Sequence, residues 1–592
     1  MITLTRLKKL QKEKEEPTKQ PVSALEDQLP PSNLPKTEPN PQAPALSDFS
    51  SPASKLIQTY QNYYLRLQSA VDIATIHVDE IASKVALFYE KIRKIVDWKE
   101  EHLVRKSAIE RILKRKLISE ISGFSLTSSL EPETTAEPLV LELIRGGHFP
   151  NDKIPRKKIT EVKNTLEKYI FILKNNPLAK NNHLAPKIKQ KINFFEWILD
   201  IAACEIEEIL EPPVREQALI DFMVTSMQER IQITPAQAIN EDEKNHQIYI
   251  AVLRALFRLD DATITHHLLK KRWPSWKNLP PSLYKEASQK IIQVKKELEK
   301  ELSHPYSNKF YALCEKYDTL YLILGDVLDA FAKEPAQISQ TISDQKNLIS
   351  YIQKAYQKRL STLKSRLYRA AIYSTLSIFV AGSLSLFIFE VPLAKLFYGK
   401  FSPLAIVVDI MLPTILMFIL VALVRPPKES NQDKVIKEII KILYRFEEKD
   451  IYEIDLRKKR RIIFNLLIGV LYLIVNGLSL ALVFLIFRLA QVPVTSLYID
   501  TINVAMIVFA ALVIRQRAKE LTVEEGVTFW EFLIDILSIP IAKIGQWLAD
   551  KWREYNVVSV FFIALIDMPF STFIEFIESW RSFLKEKQAE LH

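Results

Sequence analysis

Four long apolar stretches lie between residues 370 and 514 of this 592-residue chain. A helix needs roughly 20 residues to cross the hydrocarbon of a bilayer, and only helices and closed barrels satisfy every backbone polar group there. The sequence therefore predicts an integral membrane protein with four transmembrane helices. These cover Ala370–Phe389, Ser402–Val424, Ile462–Leu489 and Leu497–Ile514.

Lysine and arginine are concentrated at alternate ends of these stretches. They crowd the segment before the first stretch, the segment between the second and third, and the residues after the fourth, whereas Gln491–Ser496 carries none. Loops rich in these cations remain on the cytoplasmic face. We therefore expect a plasma or inner membrane protein whose N- and C-termini are both cytoplasmic.

Two kinds of residue are predicted to contact lipid headgroups. Clustered cations attract anionic headgroups, and indole rings prefer the membrane interface. The bilayer is thus the first expected partner. The predicted contact residues are Arg457, Lys458, Lys459, Arg460, Arg461, Trp530, Trp547 and Trp552.

The composition favours long helices. Ten glycines against thirty-one prolines indicate few tight turns and short breaks between helices, so the predicted fold class is all-α. We divide the chain into four parts. Residues 1–53 are a disordered proline-rich tail, 54–367 a cytoplasmic helical domain, 368–516 the transmembrane region with a cytoplasmic loop helix in 425–461, and 517–592 membrane-interfacial amphipathic helices.

Turn signals divide the cytoplasmic part into separate helices. A last helix starts near Ala336 and meets no breaker before the first apolar stretch, so it is predicted to enter the bilayer as one rigid connection. The others are predicted at Lys158–Lys174, Lys187–Leu210, Arg215–Ile233, Glu241–Lys271, Ser282–Leu302 and Tyr306–Ala332.

Apolar residues recur at alternating spacings of three and four from Ile57 to Ile95, which predicts one long helix. Two interpretations stay open. The stripe packs into a bundle of its own chain, which the apolar residues beside the seam favour, or it forms a dimeric coiled coil and hence a homo-oligomer. The seam residues are Val71, Val78, Ile81, Val85, Phe88 and Ile92.

Polar residues inside the apolar stretches are candidates for function, because an ionisable group in hydrocarbon is costly unless paired. Asp409 precedes Pro413 by four residues, so a kink is expected at this carboxylate. Asp409 is either an ion or proton station or a partner in an interhelical hydrogen bond, for example with Asn476. Arg488 and Asp500 flank the outer loop and are expected to pair.

Two Glu-x-x-His pairs, Glu243 with His246 and Glu301 with His304, match the pattern of di-metal helical bundles. Chance accounts for such pairs in a chain rich in glutamate, and Pro305 follows His304, so no metal or other cofactor is expected. His266 and His267 point about 100° apart on a helix and are predicted to lie on a solvated surface.

No phosphate-binding glycine loop, nucleophile elbow or H-E-x-x-H zinc helix is present. The sequence thus indicates a non-enzymatic, membrane-anchored scaffold that presents a cytoplasmic helical bundle to a protein partner. The alternatives are an oligomeric channel or transport component that uses Asp409 and, less favoured, a di-metal enzyme. Nucleic acid is not an expected partner, although Lys114 and Arg115 lie in a basic run that suits phosphate.

Overall fold

A computed structural model of the chain describes residues 49–69, 74–78, 101–121, 131–177, 185–398, 403–444, 450–456, 462–489, 494–523 and 541–551, with five helical positions near the C-terminus. The described residues are mostly helical, which agrees with the all-α prediction. The described end of the predicted tail is ordered: Phe49 is buried against Tyr444, and Ser50 caps the first helix.

The N-terminal helices form a body around one hydrophobic core. The core includes the fully buried rings of Tyr60, Trp276 and Tyr356. The helices are α1 (Ser51–Gln68), α2 (Glu101–Ile121), α3 (Pro132–Arg145), α4 (Lys157–Asn175), α5 (Ala185–Leu210), α6 (Val214–Arg230), α7 (Glu241–Phe257), α8 (Asp261–Arg272), α9 (Tyr284–Leu302), α10 (Ser307–Asp329) and α11 (Ile338–Ser343).

The C-terminal part contains the apolar helices. They are α12 (Gln345–Ser385), α13 (Val391–Tyr398), α14 (Pro403–Ala422), α16 (Ile462–Leu489) and α17 (Val494–Ala518), with α15 (Ser430–Leu443) between α14 and α16. Helical residues 541–551 follow.

The loop between α14 and α16 is part of the body. Val435, Ile439 and Leu443 of α15 are buried in the main core. The loop also adds a strand, β2 (Tyr452–Asp455), which pairs in parallel with β1 (Ile231–Thr234). The prediction of helix up to Ile233 is therefore wrong after Arg230, because the β-branched residues that precede Pro235 favour extended backbone.

The helix predicted from Ala336 is interrupted at Asp344, which has an extended backbone and caps α12. From Gln345 onward, α12 joins the body to the apolar region without a break, as predicted. It is 41 residues long, which corresponds to about 60 Å. Its first half buries Leu348, Ile352 and Leu363 in the body core, whereas its second half exposes apolar side chains such as Leu376 and Leu384. One helix therefore passes from a folded core to an unpartnered apolar surface.

Two helices in the described part of the chain are long and apolar enough to cross a membrane, Gln345–Ile388 and Thr501–Ala518; Ile410–Ala422 is a shorter apolar helix. Helices also cover the second and third predicted stretches, as α14 and α16. The four-span arrangement itself stays a prediction. The ends of α12, α14 and α17 pack together through Ala371, Ile378, Met417, Val421, Ile507, Ala511 and Ile514.

Two long helices predicted from periodicity are interrupted. The helix expected from Ile57 to Ile95 ends at Gln68, and Val78 lies in an extended segment whose N–H bonds to Asn151. The other seam residues, Val71, Ile81, Val85, Phe88 and Ile92, lie outside the described residues. The helix expected over Glu241–Lys271 stops at Phe257, because Arg258 adopts a left-handed conformation with φ 50° and Asp260 caps α8.

Residues 541–551 pack against the middle of the apolar helices. Ala542 is buried beside Val504 and Val508 of α17 and close to Leu412 of α14. A Cβ atom added to Gly545 would overlap the Ala505 carbonyl oxygen. This close approach differs from the prediction of a helix lying in the membrane interface, and it depends on glycine having no side chain.

Candidate functional site

Three segments that adjoin the apolar helices meet at the buried side chain of Asn431. Its Nδ2 donates to the Tyr356 hydroxyl oxygen at 3.0 Å and to the Leu521 carbonyl at 2.6 Å. Its Oδ1 accepts from the Val523 N–H at 3.1 Å. We call these four residues the junction. The amide thereby connects α12, the loop between α14 and α16, and the segment after α17.

The segment after α17 is also attached to α7 and α10. Arg258 Nη2 lies 2.6 Å from Glu520 Oε1, and the Thr319 hydroxyl donates to the Glu520 carbonyl. Leu521 and Val523 are buried in the main core. The end of α17 is therefore held to the body by an ion pair, hydrogen bonds and buried apolar side chains.

A titratable carboxyl lies beside this attachment. Asp318 Oδ1 lies 3.1 Å from the Thr319 hydroxyl oxygen. Burial raises the pKa of Asp318 to about 7, although the hydrogen bonds from Thr319 and the charge of Arg258 oppose the rise. Because burial disfavours the carboxylate, this group changes charge near neutral pH.

The body is attached at four ends of the apolar helices. Helix α12 starts in its core, and α17 ends at the junction. The segment after α14 leads through Lys428, whose carbonyl accepts from the Asn431 N–H at 3.0 Å. The segment before α16 leaves β2, where the Leu456 N–H donates to the Thr234 carbonyl at 2.8 Å. The body therefore holds residues next to α12, α14 and α17, and also Leu456, the last described residue before α16.

A groove of about 720 Å³ is a second candidate site, formed by residues of α1, α6, α7 and α8. Lys271 Nζ lies 4.6 Å from the centre of the Tyr249 ring, and Lys270 pairs with Glu208 at 2.6 Å. Glu208 and Asp221 also line the groove and balance its cations. The groove therefore has no strong excess of one charge to select a ligand.

His266 and His267 are buried, so the prediction of a solvated surface is wrong. Their exposed fractions are 2% and 9%. His266 Nε2 lies 3.0 Å from a Glu208 oxygen, whereas His267 Nδ1 lies 3.4 Å from the Tyr249 hydroxyl. Burial lowers the pKa of His267 to about 3. The two rings face different partners, as their spacing on a helix requires.

A buried ion pair connects α4, α5 and the segment after α8. Lys168 Nζ donates to Glu205 Oε1 at 2.6 Å and to the Trp276 carbonyl at 2.8 Å. Tyr169 donates to the other Glu205 oxygen at 2.6 Å and accepts from Trp276 Nε1 at 3.0 Å. Burial lowers the pKa of Lys168 despite the ion pair. Because the polar atoms bond to one another, this network is suited to fixing the packing rather than to binding a ligand.

The candidate metal ligands form separate ion pairs. His304 Nε2 lies 2.9 Å from Glu243 Oε1, whereas Glu301 pairs with Arg272 at 3.6 Å. His246 is half-buried on α7. Among the described residues, no group of three or more His, Cys, Asp or Glu side chains could hold a metal ion.

Several other predicted residues are placed only in part. Asp409, Asn476 and Asp500 lie on α14, α16 and α17, but their side chains are outside the described structure. Helix α14 continues through Pro413, and Arg488 is exposed near the end of α16. Trp547 is 61% exposed. The positions outside the described residues are Arg457, Lys458, Lys459, Arg460, Arg461, Trp530 and Trp552.

Two cations of the run considered for phosphate contact are paired inside the body. Lys114 lies 2.6 Å from Glu110, and Arg115 lies 2.6 Å from Glu142. These pairs hold α2 together and attach it to α3.

Sequence reasoning did not identify Asn431. Its only local signal is its place near the start of an amphipathic helix, where asparagine is common for capping reasons. No protein-family model matches this chain, and no curated protein or solved structure matches it either.

Proposed function

We propose that this protein is a membrane-anchored interaction protein in which four of its apolar helices, α12, α14, α16 and α17, hold a helical body rigidly at the cytoplasmic face. The main support for this proposal is that α12 runs without a break from the core of the body to an exposed apolar surface. A rigid helix fixes the orientation of the body relative to the bilayer.

The attachment of the chain on one side of the apolar helices supports a four-span topology. A chain that leaves the body by α12 and α16 and returns by α14 and α17 alternates direction four times. The cation-rich segments are those at the body end, which is the distribution expected for a cytoplasmic body.

Membrane anchoring is tested by carbonate extraction of membranes that contain the full chain. We expect the protein to stay with the membrane pellet.

Topology is tested with single cysteines, placed at 346 and at 491 in a variant whose Cys204 and Cys314 are serine, and labelled from outside intact cells. We expect labelling at 491 but none at 346; release by carbonate, or the reverse labelling, would overturn the proposal.

The interaction role is tested by site-specific photocrosslinking from exposed body positions in living cells. Lys285 and Lys300 on α9 are suitable sites because both are exposed. We expect one or more discrete crosslinked protein species from the body and none from Leu376 on the apolar half of α12. Identical species from both regions would argue against a specific partner of the body.

A further inference from the structure

We propose that six exposed cations beside the junction form a binding surface for anionic phospholipid headgroups. We call them the basic collar: Arg366, Arg369, Arg425, Lys428, Arg517 and Lys519. This inference rests on the proposed membrane anchoring. It adds that the surface at the membrane boundary binds anionic phospholipids.

The collar is assembled from three segments that are distant in sequence. Ala371 of α12, Val421 of α14 and Ile514 of α17 pack in one apolar cluster. Arg369, Arg425 and Arg517 lie two, four and three residues from these positions on the side of the body. The fold therefore brings three pairs of cations to the same level of the helix bundle.

In the part of the chain that the structure describes, no acidic side chain forms an ion pair with the collar. No Asp or Glu occurs between residues 345 and 389, the span that contains Arg366 and Arg369. Within the described structure, none of the six cations forms an ion pair, whereas Arg115, Lys168 and many other cations of the body do. The six charges are therefore available to an anion from outside the chain.

The neighbouring surface distinguishes lipid from other anions. One turn beyond Arg369, α12 exposes the large apolar side chains Ile372, Tyr373 and Leu376. A phospholipid presents a phosphate above an acyl chain, and so it matches a ring of cations next to an apolar surface. Arginine suits this role because its planar guanidinium binds phosphate oxygens in pairs. Nucleic acid would leave the apolar surface exposed to water.

The test measures lipid preference for the full chain reconstituted in phosphatidylcholine bilayers. Electron paramagnetic resonance with spin-labelled phosphatidylglycerol or spin-labelled phosphatidylcholine gives their relative association with the protein. We expect phosphatidylglycerol to be preferred and the preference to be lost in 1 M NaCl, since salt screens exposed charges.

The variant combines Arg366→Gln, Arg369→Gln, Arg425→Gln and Arg517→Gln. Each cation near an anionic surface contributes about a fivefold preference, so the variant should lose at least that factor. The control changes four exposed cations of the body by the same charge: Lys285→Gln, Lys296→Gln, Lys300→Gln and Lys333→Gln. It should keep the wild-type preference.

The collar proposal is overturned if the wild-type protein shows no preference for phosphatidylglycerol, or if the control variant loses as much of that preference as the collar variant. It is also overturned if labelled RNA binds the detergent-solubilised wild-type protein and this binding is lost in the collar variant. If the collar variant fails to fold, the wild-type protein alone provides the test: a preference for phosphatidylglycerol that persists in 1 M NaCl would overturn the proposal. A protein that carbonate extracts refutes the membrane anchoring itself, whereas an anchored protein without lipid preference refutes only the collar.

Discussion

Asn431 and Tyr356 lie 75 residues apart in the chain, and a hydrogen bond of 3.0 Å joins their buried side chains. Through the same amide, Asn431 also bonds to Leu521 and Val523, which follow α17. One side chain thus stabilises the positions of three segments that adjoin the apolar helices.

Asn431→Ala should destabilise the attachment of the segment after α17. The change leaves the Leu521 carbonyl and the Val523 N–H buried without this partner, and each such group costs about 1–3 kcal/mol. We expect the free energy of unfolding in mild detergent to fall by about 3 kcal/mol. Asn175→Ala is the control, since Asn175 is exposed and bonds only to the Phe171 carbonyl; it should change stability by less than about 0.5 kcal/mol. Equal effects of the two changes would contradict the role of Asn431.

Lys168→Met should cost about 3–5 kcal/mol, because it leaves the Glu205 carboxylate buried without its counter-ion. Adding Glu205→Leu should recover a large part of the loss, which a double-mutant cycle of chemical unfolding measures. Lys290→Met removes an exposed pair with Glu286 and should cost below about 0.5 kcal/mol. A double variant as unstable as the sum of its single changes would show that the two residues act independently.

Asp318→Asn should become relatively more stabilising as pH rises. The pKa of Asp318 in the folded chain, about 7, lies above the usual value for an unfolded aspartate. The folded state therefore binds this proton more tightly, so stability is greatest below the unfolded pKa and decreases as pH rises through about 7. Thermal unfolding of both proteins from pH 4 to 8.5 should show the difference shift by roughly 4 kcal/mol in favour of Asn, since each pKa unit between the folded and unfolded values contributes about 1.4 kcal/mol. A constant difference at all pH values would be inconsistent with the raised pKa.

Gly545→Ala should displace residues 541–551 from α17, because the added Cβ would overlap the Ala505 backbone and the Phe509 side chain. We expect a loss of about 1–3 kcal/mol in thermal stability in detergent. Gly382→Ala is the matched control, since no atom lies within 4 Å of its added Cβ. The control should be neutral or stabilise α12 by up to about 1 kcal/mol. A stable Gly545→Ala variant would exclude this close packing.

Local patterns predicted individual helices better than their partners. The bounds of α4 and α16 follow from apolar periodicity and helix-breaking residues, and so does the unbroken course of α12. The break at Gln68 was missed because residues 74–78 pair with the segment before α4, a contact that periodicity does not encode. The helix ends at Arg258 because this residue adopts a left-handed backbone conformation. Since it is not a glycine, the sequence gives almost no signal for that conformation.

The burial of polar residues is likewise not predictable from local sequence patterns. The divergence of His266 and His267 on a helix predicts a solvated surface, yet the packing of α8 against α5 and α7 buries both side chains. No sequence motif distinguishes Glu205, but the fold surrounds it with Lys168, Tyr169 and Trp276. In each case, burial depends on residues far away in the chain.

The sequence by itself determined the helical character of this chain, its apolar stretches and the uneven distribution of cations around them, because these depend on composition and spacing along the chain. Only the tertiary structure decided that the loop after α14 joins the body, that β1 pairs with β2 and that Asn431 connects three segments. These features arise from contacts between residues dozens to hundreds of positions apart, whose free energy appears only when the chain folds and water is excluded from between them.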